Sequence, residues 1–503
     1  MSIKFRLSLT LAIACGFVCF RTPVTVSADT AIVKKTFDFV IGVDGDFKAA
    51  LTAAKSAAAG KRFYIFFPNG EYNIGTLTGN SNQMTTFTTS NVSFIGQSAD
   101  STVIFNKSVN EGIGITSTLC FSNANNLYLQ DLTILNKANY GDASTYSMTG
   151  RHVAVMEQGN DIIYKNVKLL STQDTYYTKG KRTYWENGEI HGTTDFICGG
   201  GDVLFNRCLI YTDRNSTITA PATTTSWGYV FLDCTIDGSI STYNLGRSWS
   251  NQPRCVFVNT TMKKIPSAAA WGDPMNVVPA LFAEYNSKTA SGSPVDLSKR
   301  RTTYTKGATT VTLNPRLTAE QAAKYTTANI MGDWKPDLLT AQLSAPVLMR
   351  DGTTISWNDN NSALCYVVFK NGKYYKCVTS NSCDIASDTQ AKYTVRSANQ
   401  MGGLGPVSVP PTSVSMYDDK NRHTPRSLTF DPVRKTLCIH FSQAGNLKVT
   451  IISLNGRTLY SGELILNSGT SYAEIHLNDF KSGRHIIKYE YSNSVNVEYV
   501  DLF

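Results

Sequence analysis

Thr183-Tyr-Trp-Glu-Asn-Gly-Glu-Ile190 and Val203-Leu-Phe-Asn-Arg-Cys-Leu-Ile210 are two copies of one unit: an aliphatic or aromatic run, an Asn corner, then alternation ending in an apolar residue. Leu127–Ile134, Ile162–Leu169, Tyr229–Ile236 and Arg254–Met262 repeat it. The Asn or Asp corners fall at 131, 166, 187, 206, 233 and 259, with gaps of 35, 21, 19, 27 and 26 residues. A unit this short cannot bury its apolar face alone and must stack on its neighbours. A sheet meander would need tight Asn-Gly turns between successive strands, and these are scarce. The expected fold class is all-β: a right-handed single-stranded parallel β-helix, followed by small β-sandwich modules. The unequal gaps are loops, gathered on the face where solenoids usually carry their sites.

That periodicity gives meaning to two aspartates. Asp174 stands in Gln173-Asp-Thr-Tyr-Tyr177, and Asp195 in Gly192-Thr-Thr-Asp-Phe-Ile-Cys-Gly199, 21 residues further on. One coil apart, such residues stack at the strand spacing of roughly 4.8 Å. Carboxylates that close do not easily ionise together, so one can attack while the other holds a proton.

The 503 residues exceed one ordinary core and predict several domains. The formal charge of +9 favours a polyanionic partner, but no Lys/Arg block marks a nucleic-acid surface. Residues 1–28 have the pattern of an export signal: Lys4 and Arg6, an apolar run from Leu7 to Phe20, and Val26-Ser27-Ala28 as a cleavage site. Its removal leaves +6, because Lys4, Arg6 and Arg21 go with it. Lipid attachment at Cys15 is the alternative, although the leucine usual three residues earlier is missing. A secreted or cell-surface protein is expected, with no later run long enough to span a membrane. Nine cysteines remain after Cys15 and Cys19, and with no CxxC pair a zinc ribbon is not indicated. Cys377 and Cys383 are the pair spaced to close a small loop, and the others read as buried small hydrophobes.

An alanine-rich segment, Asp46 to Gly60, predicts a helix capping the open end of the solenoid, and Thr318-x-x-Gln321 predicts a capping box opening a helix to about Tyr325, near the other end. The solenoid is assigned to residues 29–340. Residues 345–410 carry alternating strands with turn signals, and 420–503 form a second small all-β region.

The three motifs Gln173-Asp174-Thr175, Gly192-Thr-Thr-Asp195-Phe-Ile-Cys-Gly199 and Leu245-Gly-Arg247-Ser-Trp249 resemble, in order, the signature motifs of pectin methylesterases. Weaker echoes at Gly45–Lys48, Val92–Gly96, Ala283–Asn286 and Asn329–Trp334 extend the resemblance over roughly residues 38 to 337. It implies removal of methyl esters from homogalacturonan. Asp195 would be the nucleophile, Asp174 the acid and then the base, Gln173 an oxyanion donor, and Arg247 the partner that keeps Asp195 ionised. Trp249 and Tyr177 would meet sugar rings, with Thr194 and Cys198 beside them on the substrate. Tyr176 and Trp185 stand open between groove and core. The implied partner is an acidic polysaccharide, with no cofactor, no metal, no nucleic acid, and a monomeric chain.

Three positions depart from the family pattern. Aligning Arg151-His-Val-Ala-Val-Met156 with the family's Gln-Ala-Val-Ala-Leu puts His152 where a second oxyanion glutamine is expected; the alternative is that it only packs. Cys198 replaces an aromatic, which would reshape a substrate subsite. Ile74 replaces a glutamate on the upstream rim. Other β-helix enzymes of pectin, a polygalacturonase or a lyase, remain alternatives, although the glycosidase signatures are missing apart from a faint trace at His191-Gly192, and no dense acidic calcium cluster stands near the motifs. A non-catalytic polysaccharide-binding solenoid is the third reading. Residues 345–410 resemble a fibronectin type III module. Lys448–Arg457, Leu477–Gly483 and His485–Tyr489 resemble a type IX secretion sorting domain, which export machinery would read; the alternative is an accessory β-sandwich.

Overall fold

The computed structural model describes residues 32–57, 60–138, 140, 150–385 and 390–410, and seven strands between 427 and 502. The export signal, Cys15, and residues 454–457 and 477–482 of the sorting motifs lie outside the described residues.

Three parallel sheets of ten, seven and nine strands run the length of the solenoid. The chain visits them in rotation. Tyr176–Thr178 lies in the seven-stranded sheet, Arg182–Glu186 in the ten-stranded sheet and Glu189–Gly192 in the nine-stranded sheet, before Ile197–Gly199 returns to the first of these. Each pairing is parallel and in register, as in Tyr176↔Ile197 and Trp185↔Phe205. This is the expected β-helix, and strand-crossover-parallel strand connections take the right hand.

The repeated Asn/Asp corner has a physical reason. The chain must turn between the ten- and nine-stranded sheets in a left-handed backbone conformation, which Asn and Asp tolerate best. Asp131, Asn166, Asn187, Asp233 and Asn259 have φ between 50° and 56°. One coil differs: the left-handed residue is Arg207, φ 56°, and Asn206 ends the strand before it. The corner amides bond along the stack, with Asn259 Nδ2 donating to Asp233 Oδ1 at 3.0 Å and Asn286 Nδ2 to Asn259 Oδ1 at 2.8 Å.

Inside, side chains of the same kind stack coil on coil. Tyr164 and Trp185 are 4.1 Å apart and nearly parallel, and Phe205, Phe231 and Phe257 continue at 4.5 and 4.3 Å. Tyr176 and Trp185 are therefore core residues, fully buried. Ile74 is buried in the same core and takes no place on a rim.

The N-terminal helix is Phe47–Lys55, capped by Asp46, whose carboxylate accepts from Ala49 N at 2.8 Å. It stops short of the expected Gly60, and Phe47, Ala50 and Ala54 close the end of the core. The capping box of Thr318 and Gln321 forms, but its helix covers only Ala319–Ala322. Helices Thr327–Met331 and Pro336–Leu339 follow it. This tail does not plug the far end. It lies against the outer face of the ten-stranded sheet, where Ile330 and Met331 pack with Tyr184, Leu204 and Val230. That face carries an apolar row, from Phe66 and Ile95 through Tyr128 and Ile163 to Leu204 and Val230, which needs a cover.

Residues 348–398 form two antiparallel three-stranded sheets around Ile355, Trp357, Tyr366, Val368 and Val395. This module shields the same outer face: Phe66 meets Tyr374 at 5.4 Å, and Arg396 bonds Asp131 at 3.1 Å. Cys377 and Cys383 do not pair. They stand on strands of different sheets as free thiols, and the partner of Cys377 is Cys365 on the adjacent strand. The C-terminal strands form antiparallel sheets of three and four strands. Among the described residues no helix is long and apolar enough to cross a membrane.

Candidate active site

Neither the tail nor the small module packs on the outer face of the seven-stranded sheet, which carries its own buried apolar cluster. Along it runs a row in strict register: Cys120, Met156, Tyr177, Cys198 and Ala220. Met84, Ile113, Trp249 and Met275 flank this row. Residues on either side alternate into the core, so Tyr176 and Ile197 face inward while Tyr177 and Cys198 face outward.

Asp174 and Asp195 sit just before two of these strands, Tyr176–Thr178 and Ile197–Gly199, at equivalent places in successive coils. Both have left-handed backbones, φ 61° and 50°. The Asp174 N–H donates to Thr194 O at 3.3 Å and the Asp195 N–H to Thr217 O at 2.6 Å, which ties each turn to the next coil. Gly192 makes the second turn tight: a Cβ there would stand 2.2 Å from Phe196 Cβ. Strain held by surrounding packing is common where side chains must be aimed for chemistry.

The two carboxyls are 4% and 3% exposed, yet their surroundings differ. Arg247, following strand Asn244–Gly246, grips Asp195 with Nε at 3.0 Å from Oδ1 and with Nη2 on Oδ2. Asp195 is raised above the ordinary carboxylate value by burial, and this guanidinium opposes the rise. Asp174 is raised to about 7, first by burial and then by the neighbouring Asp195 charge; Arg151 and the Cys198 thiol oppose this. The pair is thus asymmetric, one carboxyl paired with a cation and the other able to carry a proton at neutral pH.

The remaining candidates gather around this pair. Gln173 directly precedes Asp174 and is partly exposed. Thr194 Oγ1 donates to Ser216 Oγ at 3.0 Å. Tyr177 and Trp249 approach at 6.0 Å between ring centroids, and Trp249 is partly exposed. Cys198 is 1% exposed, with its thiol on the Asp174 carboxyl, so its contact is with the acid rather than with solvent. His152 is buried, with Nδ1 2.9 Å from Ser108 Oγ, and its backbone N–H donates to Gln173 O at 3.1 Å. Arg151 and Glu111, which no motif singles out, meet beside Gln173. A separate polar cleft of about 660 Å³ lies on the ten-stranded sheet, where Lys165 and Glu186 form a buried ion pair under Thr340. It anchors the tail and is remote in topology from the aspartates.

Fold and site together define a class: parallel β-helix proteins with an asymmetric carboxylate pair on an open sheet face. The family model for pectinesterase matches residues 39–333. Pectinesterase A of Dickeya dadantii is 28% identical over 400 residues, 67% of this chain and 99% of its own length. Pectinesterase 2 of Citrus sinensis is 27% identical over 239 residues, 44% of this chain and 43% of its own. The chain spans about half or less of the plant relatives it matches. Pectin methylesterase from carrot shares the fold, with a TM-score of 0.50 at 19% identity, over 62% of this chain and 98% of that one. The chain belongs to the pectinesterase family.

Proposed function

We propose that the β-helix hydrolyses methyl esters of homogalacturonan, giving the free acid and methanol. The observation that carries this reading is the asymmetric pair: Asp195 held by Arg247, with Asp174 at about 7 one coil away. Asp195 Oδ attacks the ester carbonyl carbon, and Gln173 donates to the oxygen that gains charge. Collapse of the tetrahedral intermediate breaks the bond to methoxide, which takes the Asp174 proton and leaves as methanol. The acyl group is then an anhydride on Asp195. Asp174, now a carboxylate, removes a proton from water, which attacks the anhydride and restores both aspartates. Trp249 presents a ring face for the sugar chain, backed by the buried Tyr177, with Thr194 on the groove. His152 supports Gln173 through the backbone, and Cys198 tunes the acid from beneath.

Incubation with methylated pectin tests this directly. Methanol release without new reducing ends or unsaturated products is the expected result. Reducing ends would indicate a glycosidase and unsaturated products a lyase.

We also infer that residues 1–28 direct export, that 29–340 are catalytic, and that 345–410 are a fibronectin type III-like cover. On this reading 420–503 serve as a sorting address, and the enzyme works outside the cell. The mass of the mature chain tests the last point: an address is removed after export, whereas an accessory module is retained.

A further inference from the structure

Arg151 and Gln173 are partners in a parallel β-bridge, so they stack on adjacent coils and project on the same side. His152, the next residue, projects on the other side and meets Ser108. The side chain directly beside Gln173 is therefore a guanidinium. It is held by a carboxylate in bidentate fashion: Arg151 Nε lies 2.8 Å from Glu111 Oε2 and Nη2 lies 2.7 Å from Oε1. The Arg151 backbone N–H also reaches Glu111 at 3.3 Å, and Gly112 N–H donates to Arg151 O at 2.9 Å. Both side chains are nearly half exposed, 44% and 49%.

We propose that Arg151 is a specificity-determining residue that binds the free carboxylate of a galacturonate next to the reacting ester, exchanging Glu111 for it. This rests on the esterase reading for its substrate. The chemistry matches. Each sugar of this polymer carries either a neutral ester or a carboxylate, and a guanidinium fork recognises a carboxylate in the same two-bond geometry it makes with Glu111. Because the internal pair is solvent-exposed, its loss costs little, and a substrate carboxylate can displace it. The charge also reaches the catalytic pair, since Arg151 favours the ionised form of Asp174. Glu111 makes the site tolerant: with no substrate acid present, the pair is neutral and the groove accepts an ester without an unpaired cation. Only a carboxylate can take the Arg151 fork from Glu111, so chains already partly de-esterified are favoured over fully methylated ones.

The test compares wild type, Arg151→Gln and Glu111→Gln. Calorimetry with a fully de-esterified galacturonate hexamer needs no turnover. Arg151→Gln should weaken binding roughly three- to tenfold, and Glu111→Gln should tighten it by a similar factor. With methanol release as the readout, Arg151→Gln should raise KM more on half-methylated than on fully methylated oligomers. Unchanged hexamer binding in both variants, or equal KM changes on both substrates, would overturn the proposal. Melting curves identify a variant that fails to fold, and the other variant then decides. Hexamer binding that changes between wild type and the variants, with no methanol released by wild type, would sink the esterase reading and keep the carboxylate site. Methanol release with indifferent binding would do the reverse.

Discussion

Arg247 Nε stands 3.0 Å from Asp195 Oδ1, and the same guanidinium also holds Oδ2, so the more deeply held carboxyl of the pair carries its own counter-ion. Asp174 one coil away is instead raised to about 7. A single cation, placed by the strand that follows two coils later, therefore sets two like groups apart, which is the asymmetry the proposed mechanism uses for a nucleophile and a proton carrier.

Arg247→Gln should lower kcat by roughly 10²- to 10⁴-fold, since Asp195 would then take up a proton in its buried site and lose its nucleophilicity. Lysine at the same position restores the charge without the fork, so Arg247→Lys should fall between the two. Equal kcat in all three proteins would remove Arg247 from the mechanism.

Asp174 makes stability depend on pH with a definite sign. Its folded pKa, about 7, lies above its ordinary value of 3.8, so the folded chain binds the proton more tightly. Its contribution is fully present below about 4 and is lost as pH rises through about 7. Asp174→Asn should therefore be more stable than wild type at pH 8 by on the order of 1–4 kcal/mol, read from denaturant unfolding, and show little advantage at pH 4. A variant less stable than wild type at pH 8 would contradict this.

Cys198 places a thiol on the Asp174 carboxyl and favours its ionised form. Removing that contact by Cys198→Ala should move the basic limb of the kcat/KM profile to higher pH, because Asp174 keeps its proton longer. A limb that stays in place, or moves down, would show that the contact does not govern the acid.

Trp249 lies beside Tyr177 on the open sheet face. Losing the ring in Trp249→Ala should raise KM about five- to thirtyfold with a smaller effect on kcat, the size of a lost aromatic contact. A kcat defect at unchanged KM would place Trp249 in the chemistry instead.

Much of this was legible in the sequence for physical reasons. Stacked coils impose one left-handed corner per coil, whatever the loop length between them, so Asn166, Asn187 and Asn259 announce the solenoid before any contact is known. The same spacing brings Asp174 and Asp195 onto adjacent coils. Burial was harder to read. Tyr176 and Tyr177 are neighbours of one kind, and only strand phase sends the first into the core and the second onto the groove. Cys198 reads as a groove residue until its thiol is found on Asp174. The sequence pointed to His152 beside Gln173, whereas the bridge partner of Gln173 is the preceding residue, Arg151, which register resolves and composition does not. The cover of the ten-stranded sheet joins residues more than 200 apart, such as Asp131 and Arg396, a distance that local patterning does not reach.

Methanol release from methylated homogalacturonan by Asp195→Asn, beside wild type and with the fold confirmed by melting, tests the central claim most directly. An amide cannot form the anhydride, so turnover should fall by about 10⁴-fold or more while the protein melts as a folded chain. Wild-type turnover in a folded Asp195→Asn protein would contradict it.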